Sequence, residues 1–262
     1  MMPESELTEE HFLRSAEEAA WAAAEVLDEW ALKFTVSEKS PANLVTEADI
    51  ASERAIHELL HARYPDHRFL GEEGLADEGP SPYRWIIDPL DGTSNYVHGF
   101  PYFAVSIGLE HDGDLIAGVI LDPTRKELFA AARGRGATLN GEPIHPSRAA
   151  SLSEALVMVS LPVSVPPGHP AVERFLRTMS AAQATQRTGS AALNLAYTAC
   201  GRIDAFFSTS LKPWDMAAGT LIVGEAGGRV SRIGGEEFDV NLPDILATNG
   251  GPLHEELRTL LR

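Results

Sequence analysis

Residues 85–96 read Trp85-Ile86-Ile87-Asp88-Pro89-Leu90-Asp91-Gly92-Thr93-Ser94-Asn95-Tyr96. An apolar strand runs into an acid, then a proline, then a second acid followed by glycine. Carboxylates spaced in this way repel each other if they share a concave site, and they stay ionised together only when something compensates them. A hard divalent cation does so: Mg²⁺ favours carboxylate and carbonyl oxygens and keeps several waters. Pro89 restricts the local backbone. Gly92 permits an unusual φ and a close approach of main chain to ligand. Gly92, Thr93 and Ser94 offer amides and hydroxyls to an anion, most effectively if a helix begins there. The competing reading is a plain strand-ending turn, because these residue types also favour turns.

Three further stretches weigh against a plain turn. Gly71-Glu72-Glu73-Gly74 places acids at the end of another short strand. Asp49 closes Leu44-Val45-Thr46-Glu47-Ala48-Asp49 at an expected helix start, and Asp215 sits in Lys212-Pro213-Trp214-Asp215-Met216 at another. Each alone fits a cap or a solvated charge. Together they put acids at several element ends of a chain whose single cysteine, Cys200, excludes an internal disulfide and a multi-cysteine zinc site.

The rest of the chain predicts alternating helix and sheet. Apolar residues recur at three- and four-residue steps from Thr8 to Leu32, which predicts one long helix. Ser37–Asn43, with Pro41, breaks it. A second helix is expected after Thr46, whose spacing to Asp49 has the form of a capping box, and runs to about Arg63. Short strands are expected at Arg68–Leu70, Trp85–Ile87, Tyr102–Glu110, Leu115–Leu121 and Glu127–Ala131, with a hairpin turn at His111–Asp114. Then follow a strand at Leu156–Ser160, a Pro-rich loop at Leu161–Pro170, and helices at Ala171–Met179, Ser190–Cys200 and Asp215–Glu225. Strands at Ala184–Arg187 and Asp204–Phe207 alternate with these helices. Short strands near Val230 and Ile245 and a terminal helix complete the series. The fold class is α/β in layers, with two lobes, 1–150 and 151–262, acting as one unit.

Composition excludes several functions. The chain has 262 residues, and its net charge of −17 argues against binding a nucleic-acid backbone or an anionic membrane surface. With 44% hydrophobic and 23% charged residues it reads as globular. No run approaches the ~18 apolar residues of a membrane span. The acidic N-terminus does not resemble a secretory leader, and one cysteine makes a reducing cytoplasm the expected location.

The set Leu-Val-Thr-Glu-Ala-Asp49, Leu-Gly-Glu72-Glu, Trp-Ile-Ile-Asp88-Pro-Leu-Asp91-Gly-Thr-Ser-Asn-Tyr and Pro-Trp-Asp215-Met-Ala-Ala-Gly resembles the inositol monophosphatase family. Linking segments around Asn140 and Gly189 also match, so the resemblance runs from about Lys39 to Gly228. It implies a layered αβαβα sandwich, commonly homodimeric, and a Mg²⁺-dependent, lithium-sensitive phosphomonoesterase. It implies that Glu72, Asp88, the Leu90 carbonyl, Asp91 and Asp215 hold metal. Asp49 and Thr93 would activate the attacking water, and amides near Gly92, Thr93 and Ser94 would cradle phosphate. Gly189, Ser190 and Ala191 would line the alcohol side. Two Mg²⁺ leave part of the negative charge of site plus phosphate unmatched, so a third ion or a proton is expected when substrate is bound. The expected reaction is in-line displacement by an activated water, without a phosphoenzyme.

Two positions depart from the family. Asn43 stands where many members have Asp. Ser208 replaces a glutamate that grips sugar hydroxyls in inositol-preferring members. Inositol monophosphate is the foremost expected substrate; histidinol phosphate, fructose 1,6-bisphosphate and 3′-phosphoadenosine 5′-phosphate are the alternatives. A non-catalytic metal-binding scaffold is a further alternative, but none of the carboxylates is missing.

A rival motif lies at His57-Glu58-Leu59-Leu60-His61, the H-E-x-x-H pattern of zinc hydrolases on an expected helix. Its third ligand has only loosely placed candidates, such as Glu78, and Ile56, Leu59 and Leu60 form a buried stripe that leaves the histidines on a flank. His98 is a candidate general acid or a structural histidine. Lys39 is a candidate for closing the site over substrate from a loop. Cys200 reads as a small buried hydrophobe, and Gly134–Gly141 does not form a dinucleotide-binding fingerprint.

Overall fold

Helix α1 (Glu9–Trp30) buries Phe12, Ala16, Ala19, Ala20, Ala23 and Leu27, one stripe at three- and four-residue steps. The structure is a computed structural model and describes residues 8–31, 33–40 and 43–262. Strands β1 (Val36–Ser40) and β2 (Asn43–Thr46) pair antiparallel. Helix α2 (Glu47–Arg63) follows, with Thr46 as its N-cap: Thr46 Oγ1 accepts from the Ala48 amide at 3.1 Å, and Asp49 Oδ2 accepts from the Thr46 amide at 2.8 Å. The capping box read from the sequence is therefore present.

Next come β3 (Arg68–Gly71), β4 (Ala76–Asp77), β5 (Tyr83–Asp91), the short helix α3 (Thr93–Val97), β6 (Ala104–His111), β7 (Asp114–Asp122), β8 (Glu127–Ala132), β9 (Ala137–Leu139) and β10 (Glu142–Pro143). Their strands form an eight-stranded sheet in the order β10-β9-β8-β7-β6-β5-β3-β4, antiparallel except between β3 and β5. The β6–β7 turn has Asp112 at φ 51° and Gly113 at φ 91°, the left-handed pair that a two-residue hairpin needs. The remaining elements are β11 (Leu156–Ser160), α4 (Pro170–Ala181), β12 (Ala184–Gln186), α5 (Ala191–Ala199), β13 (Ala205–Ser208), α6 (Pro213–Glu225), β14 (Arg229–Ser231), β15 (Ile245–Thr248) and α7 (Leu253–Leu261). Their strands form a five-stranded sheet in the order β12-β11-β13-β15-β14.

The three larger hydrophobic cores among the described residues stack these parts. Phe12, Leu27, Ile56 and Leu60 of α1 and α2 pack on Trp85, Ile87, Val105 and Ile107 of the first sheet. The opposite face of that sheet, with Ile120 and Phe129, meets Leu193, Leu195, Met216 and Ile222 of α5 and α6, which in turn cover Phe206 and Ile245 of the second sheet. Phe207 and Leu246, the next residues along those same strands, point the other way into a core with Leu253 and Leu257 of α7 and Phe175 of α4. The order helix, sheet, helix, sheet, helix is the αβαβα layering that the family resemblance implies.

Central strands β6 and β7 are covered on both faces, so they read as nearly continuous apolar runs. Gly108 and Gly118 are cross-strand partners under α6. A Cβ at Gly108 would stand 2.8 Å from Ala217 Cβ, and one at Gly118 would stand 2.9 Å from the Ala218 carbonyl oxygen. The two glycines let the helix carrying Asp215 lie directly on the sheet carrying Asp88.

The break expected after α1 is present, and within it residues 36–40 and 43–46 pair as antiparallel strands, which the sequence did not show. The segment is short and polar, so it carries no period to read. Pro41, and the side chains of Lys39 and Asn43, lie outside the described residues. The strand expected at Trp85–Ile87 continues to Asp91, past Pro89, because a bulge between Asp88 and Asp91 accommodates the proline. No helix among the described residues is long and apolar enough to cross a membrane.

Candidate active site

The bulge in β5 builds the site. Opposite β6, Asp88 pairs with Ser106 but Asp91 pairs with Ala104, so β5 holds one residue more than its partner. Pro89 occupies the bulge without an amide to satisfy, and its carbonyl accepts from Ser52 Oγ of α2 at 3.0 Å. Asp88 Oδ1 accepts from the Leu90 amide at 3.0 Å. The chain then turns at Gly92, φ +98°, where a Cβ would crowd the Tyr102 carbonyl oxygen at 3.1 Å. Helix α3 starts with Thr93.

Glu72, Asp88, Leu90, Asp91, Thr93 and Asp215 line one cleft, together with Gly92, Ser94 and Gly189. Glu72 follows β3, and Asp215 sits in the first turn of α6 with Oδ2 accepting from the Lys212 amide at 2.7 Å. Glu72, Asp88 and Asp215 each bring a carboxylate oxygen within 4.8 Å of the others. Asp88 Oδ2 is buried and has no hydrogen-bond partner. Asp91 is more strongly held: its Oδ2 accepts from Ser190 Oγ and from the Ala192 amide at the start of α5, the latter at 2.7 Å.

Electrostatics follow from this crowding. Burial, then the charges of Glu72, Asp91 and Asp215, push the Asp88 carboxyl well above the usual carboxylate range. Burial and Asp91 do the same to Asp215. Asp91 is pushed up to about 6 by burial, against the opposing donation from Ser190 and Ala192. A neutralising cation reverses these tendencies. Glu72, Asp88 and Asp215 together offer oxygen donors alone, a set suited to a hard ion.

Behind the cleft lies Asp49, fully buried. Its Oδ2 accepts from the Thr46 amide and, at 2.6 Å, from Thr46 Oγ1. Its Oδ1 accepts from Thr93 Oγ1 at 3.0 Å. The same hydroxyl lies 3.2 Å from the Leu90 carbonyl oxygen. Asp49 thus reaches the cleft through Thr93. Burial raises its pKa, opposed by the Thr46 and Thr93 hydrogen bonds.

Other residues singled out in the sequence are distributed differently. Ala191 and Gly189 line a hollow beside the cleft, which also includes Asp91 and Asp215. Ser190 is fully buried, with its side chain given to Asp91 and to the Leu193 amide at 3.2 Å. Ser208 is buried at the end of β13 and donates to the Ser160 carbonyl at 3.2 Å. His98 is exposed, its Nδ1 2.8 Å from the Ser94 carbonyl. Cys200 is half-buried, and burial pushes its thiol pKa up. Glu58 of the H-E-x-x-H motif accepts from Arg54 Nε at 2.6 Å on the exposed side of α2. Glu78 is exposed.

Sequence reasoning missed Arg187, an exposed residue that lines the rim of both cleft and hollow. The signal was its place just before Gly189. It also missed Asn95, whose Nδ2 donates to the Tyr102 carbonyl at 2.6 Å and the Thr188 carbonyl at 2.9 Å, tying the turn before α5 to α3.

Comparison with known proteins gives the same picture. The sequence pattern of the inositol monophosphatase family matches residues 8–262. An inositol-1-monophosphatase of Synechocystis is 42% identical over 257 residues, 95% of this chain and 88% of that protein. The Nus factor SuhB of Pseudomonas aeruginosa is 42% identical over 242 residues, 90% and 88% of the two chains. The crystal structure of extragenic suppressor protein suhB from Bartonella henselae superposes with a TM-score of 0.91 at 38% identity, covering 96% of this chain and 98% of that one. Sequence and fold agree over almost the whole chain, which belongs to the inositol monophosphatase family of phosphoric monoester hydrolases.

Proposed function

We propose that this chain hydrolyses a small phosphate monoester, inositol monophosphate foremost, in a Mg²⁺-dependent reaction with water as the nucleophile. The observation that carries the reading is the buried carboxylate cluster, with Asp88 Oδ2 lacking any hydrogen-bond partner beside Glu72 and Asp215. Such a group is costly unless a cation accepts it. Glu72, Asp88, Asp91, Asp215 and the Leu90 carbonyl fit two Mg²⁺. When bound, these ions would neutralise the acids and the phosphate, lower the pKa of water and stabilise the leaving oxygen.

The chain's own groups do the rest. Thr93 Oγ1 accepts a hydrogen bond from the attacking water while donating to Asp49 Oδ1, so the water's lone pair is aimed at phosphorus. Thr46 holds Asp49 in place from behind through two donors. The first amides of α3 have no partner within the helix and face the anion as donors. Gly189 and Ala191 line the adjoining hollow, which would take the alcohol. Ser208 is too short, and too fully engaged with Ser160, to grip a sugar hydroxyl, so alcohol selection falls to other residues of the hollow, Arg187 among them.

The test is phosphate release from inositol 1-phosphate, histidinol phosphate, fructose 1,6-bisphosphate and 3′-phosphoadenosine 5′-phosphate, each with Mg²⁺, with Mg²⁺ plus lithium, and with a chelator. Release that requires Mg²⁺, is suppressed by lithium and is fastest from inositol 1-phosphate is the expected result. Faster release from another ester would replace the substrate, and Mg²⁺-independent release would overturn the mechanism.

A further inference from the structure

His57 and His61 stand one turn apart on α2 and take no part in the chemistry above. The structure brings a third residue to them from another element: Asp77 of the edge strand β4. His57 Nε2 lies 3.7 Å from Asp77 Oδ2, and His61 Nδ1 lies 3.8 Å from the same oxygen. These separations are too long for hydrogen bonds. They are close to the spacing of two ligands on one tetrahedral ion, about 3.4 Å for bonds of about 2.1 Å. The three donor atoms all lie within 4.8 Å of one another. Both nitrogens are buried with no hydrogen-bond partner, although the rings are partly exposed. Phe69 of β3 packs edge-on against His57, with ring centroids 4.8 Å apart, and so fixes that ring's orientation.

We propose that His57, His61 and Asp77 form a transition-metal site, of the Zn²⁺ class, separate from the catalytic carboxylates. Two imidazoles and one carboxylate suit Zn²⁺, whereas Mg²⁺ prefers oxygen alone. A water completes the fourth position. The site is structural rather than hydrolytic, because the glutamate that would serve as base, Glu58, is paired with Arg54. Its effect follows from the elements it joins. The turn between β3 and β4 presents Glu72 to the cleft, and Glu53 of α2 already holds that turn by accepting from the Glu73 amide at 2.9 Å and the Leu75 amide at 3.2 Å. A metal on Asp77 fastens the far strand of the same hairpin to the same helix.

The experiment titrates Zn²⁺ into the full chain by calorimetry in saturating Mg²⁺, followed by thermal unfolding. Wild type is compared with His61→Gln, Asp77→Asn and Asp88→Asn. The expected result is one equivalent of Zn²⁺ that persists in Asp88→Asn, weakens at least ~10-fold in His61→Gln and Asp77→Asn, and raises the unfolding midpoint only where it binds. Co²⁺ in its place should give the strong visible absorption of a four-coordinate, nitrogen-containing site. Circular dichroism and the Mg²⁺ response of His61→Gln and Asp77→Asn establish that both are folded. Absence of zinc binding, zinc uptake that needs Asp88, or wild-type affinity in both folded variants would overturn the proposal.

Discussion

At the scale of single residues, the site depends on what holds each acid as much as on the acids themselves. Asp91 would lose a donor without Ser190, and with it part of the stabilisation of its charged form. Ser190→Ala is therefore expected to raise the Mg²⁺ concentration needed for half-maximal phosphate release by about 10-fold, within the range typical of residues behind a metal ligand. Ser190→Thr should restore it, and the saturating rate should change little. Equal Mg²⁺ requirements in wild type and Ser190→Ala would show that this hydrogen bond does not tune Asp91. The acids were legible in the sequence because strand-end Asp-Pro-Leu-Asp-Gly and helix-start aspartates are local patterns. The task of Ser190 was not, because its partner is 99 residues away and a serine before a helix reads first as a cap.

At the scale of elements, long periodic helices and the β6–β7 hairpin were legible for the same reason: each carries its own period or turn signal. The β1–β2 hairpin, and β9 with β10, were not, since their few residues carry no clear apolar alternation and only the pairing with a neighbour defines them. Element contacts also hide titrating groups. His254 of α7 is fully buried, with Nδ1 3.0 Å from Thr248 Oγ1 of β15 and Nε2 3.0 Å from Ser231 Oγ of β14. Burial, helped by Arg229, pulls its pKa down to about 4 from 6.5. The folded state thus disfavours the charged imidazole. Its contribution is complete above the unfolded pKa of 6.5 and is lost as pH falls toward about 4. The full loss is about 3 kcal/mol. Urea unfolding at pH 7 and pH 4.5 should show a smaller pH-dependent loss for His254→Gln than for wild type. The same loss in both would remove His254 from the acid response.

At the scale of the whole molecule, five layers bring together acids that are far apart in the chain, from Asp49 on α2 to Asp215 on α6. Nothing in the sequence prescribes that meeting point directly. It follows from the bulge at Pro89, from the glycine pair that lets α6 lie on the first sheet, and from α5 docking Ser190 on Asp91. The assembly gathers negative charge in a chain already at −17, so on the proposed function the fold carries a local destabilisation that a bound cation would relieve. Replacing Asp88 tests this most directly. Thermal unfolding of wild type and Asp88→Asn is measured at neutral pH in chelator and in Mg²⁺, beside phosphate release. The expected result is that Asp88→Asn unfolds at a higher temperature than wild type in chelator, gains little from Mg²⁺ where wild type gains much, and loses at least ~100-fold in rate. An Asp88→Asn protein that is less stable than wild type in chelator, gains as much from Mg²⁺, or still hydrolyses substrate would contradict it.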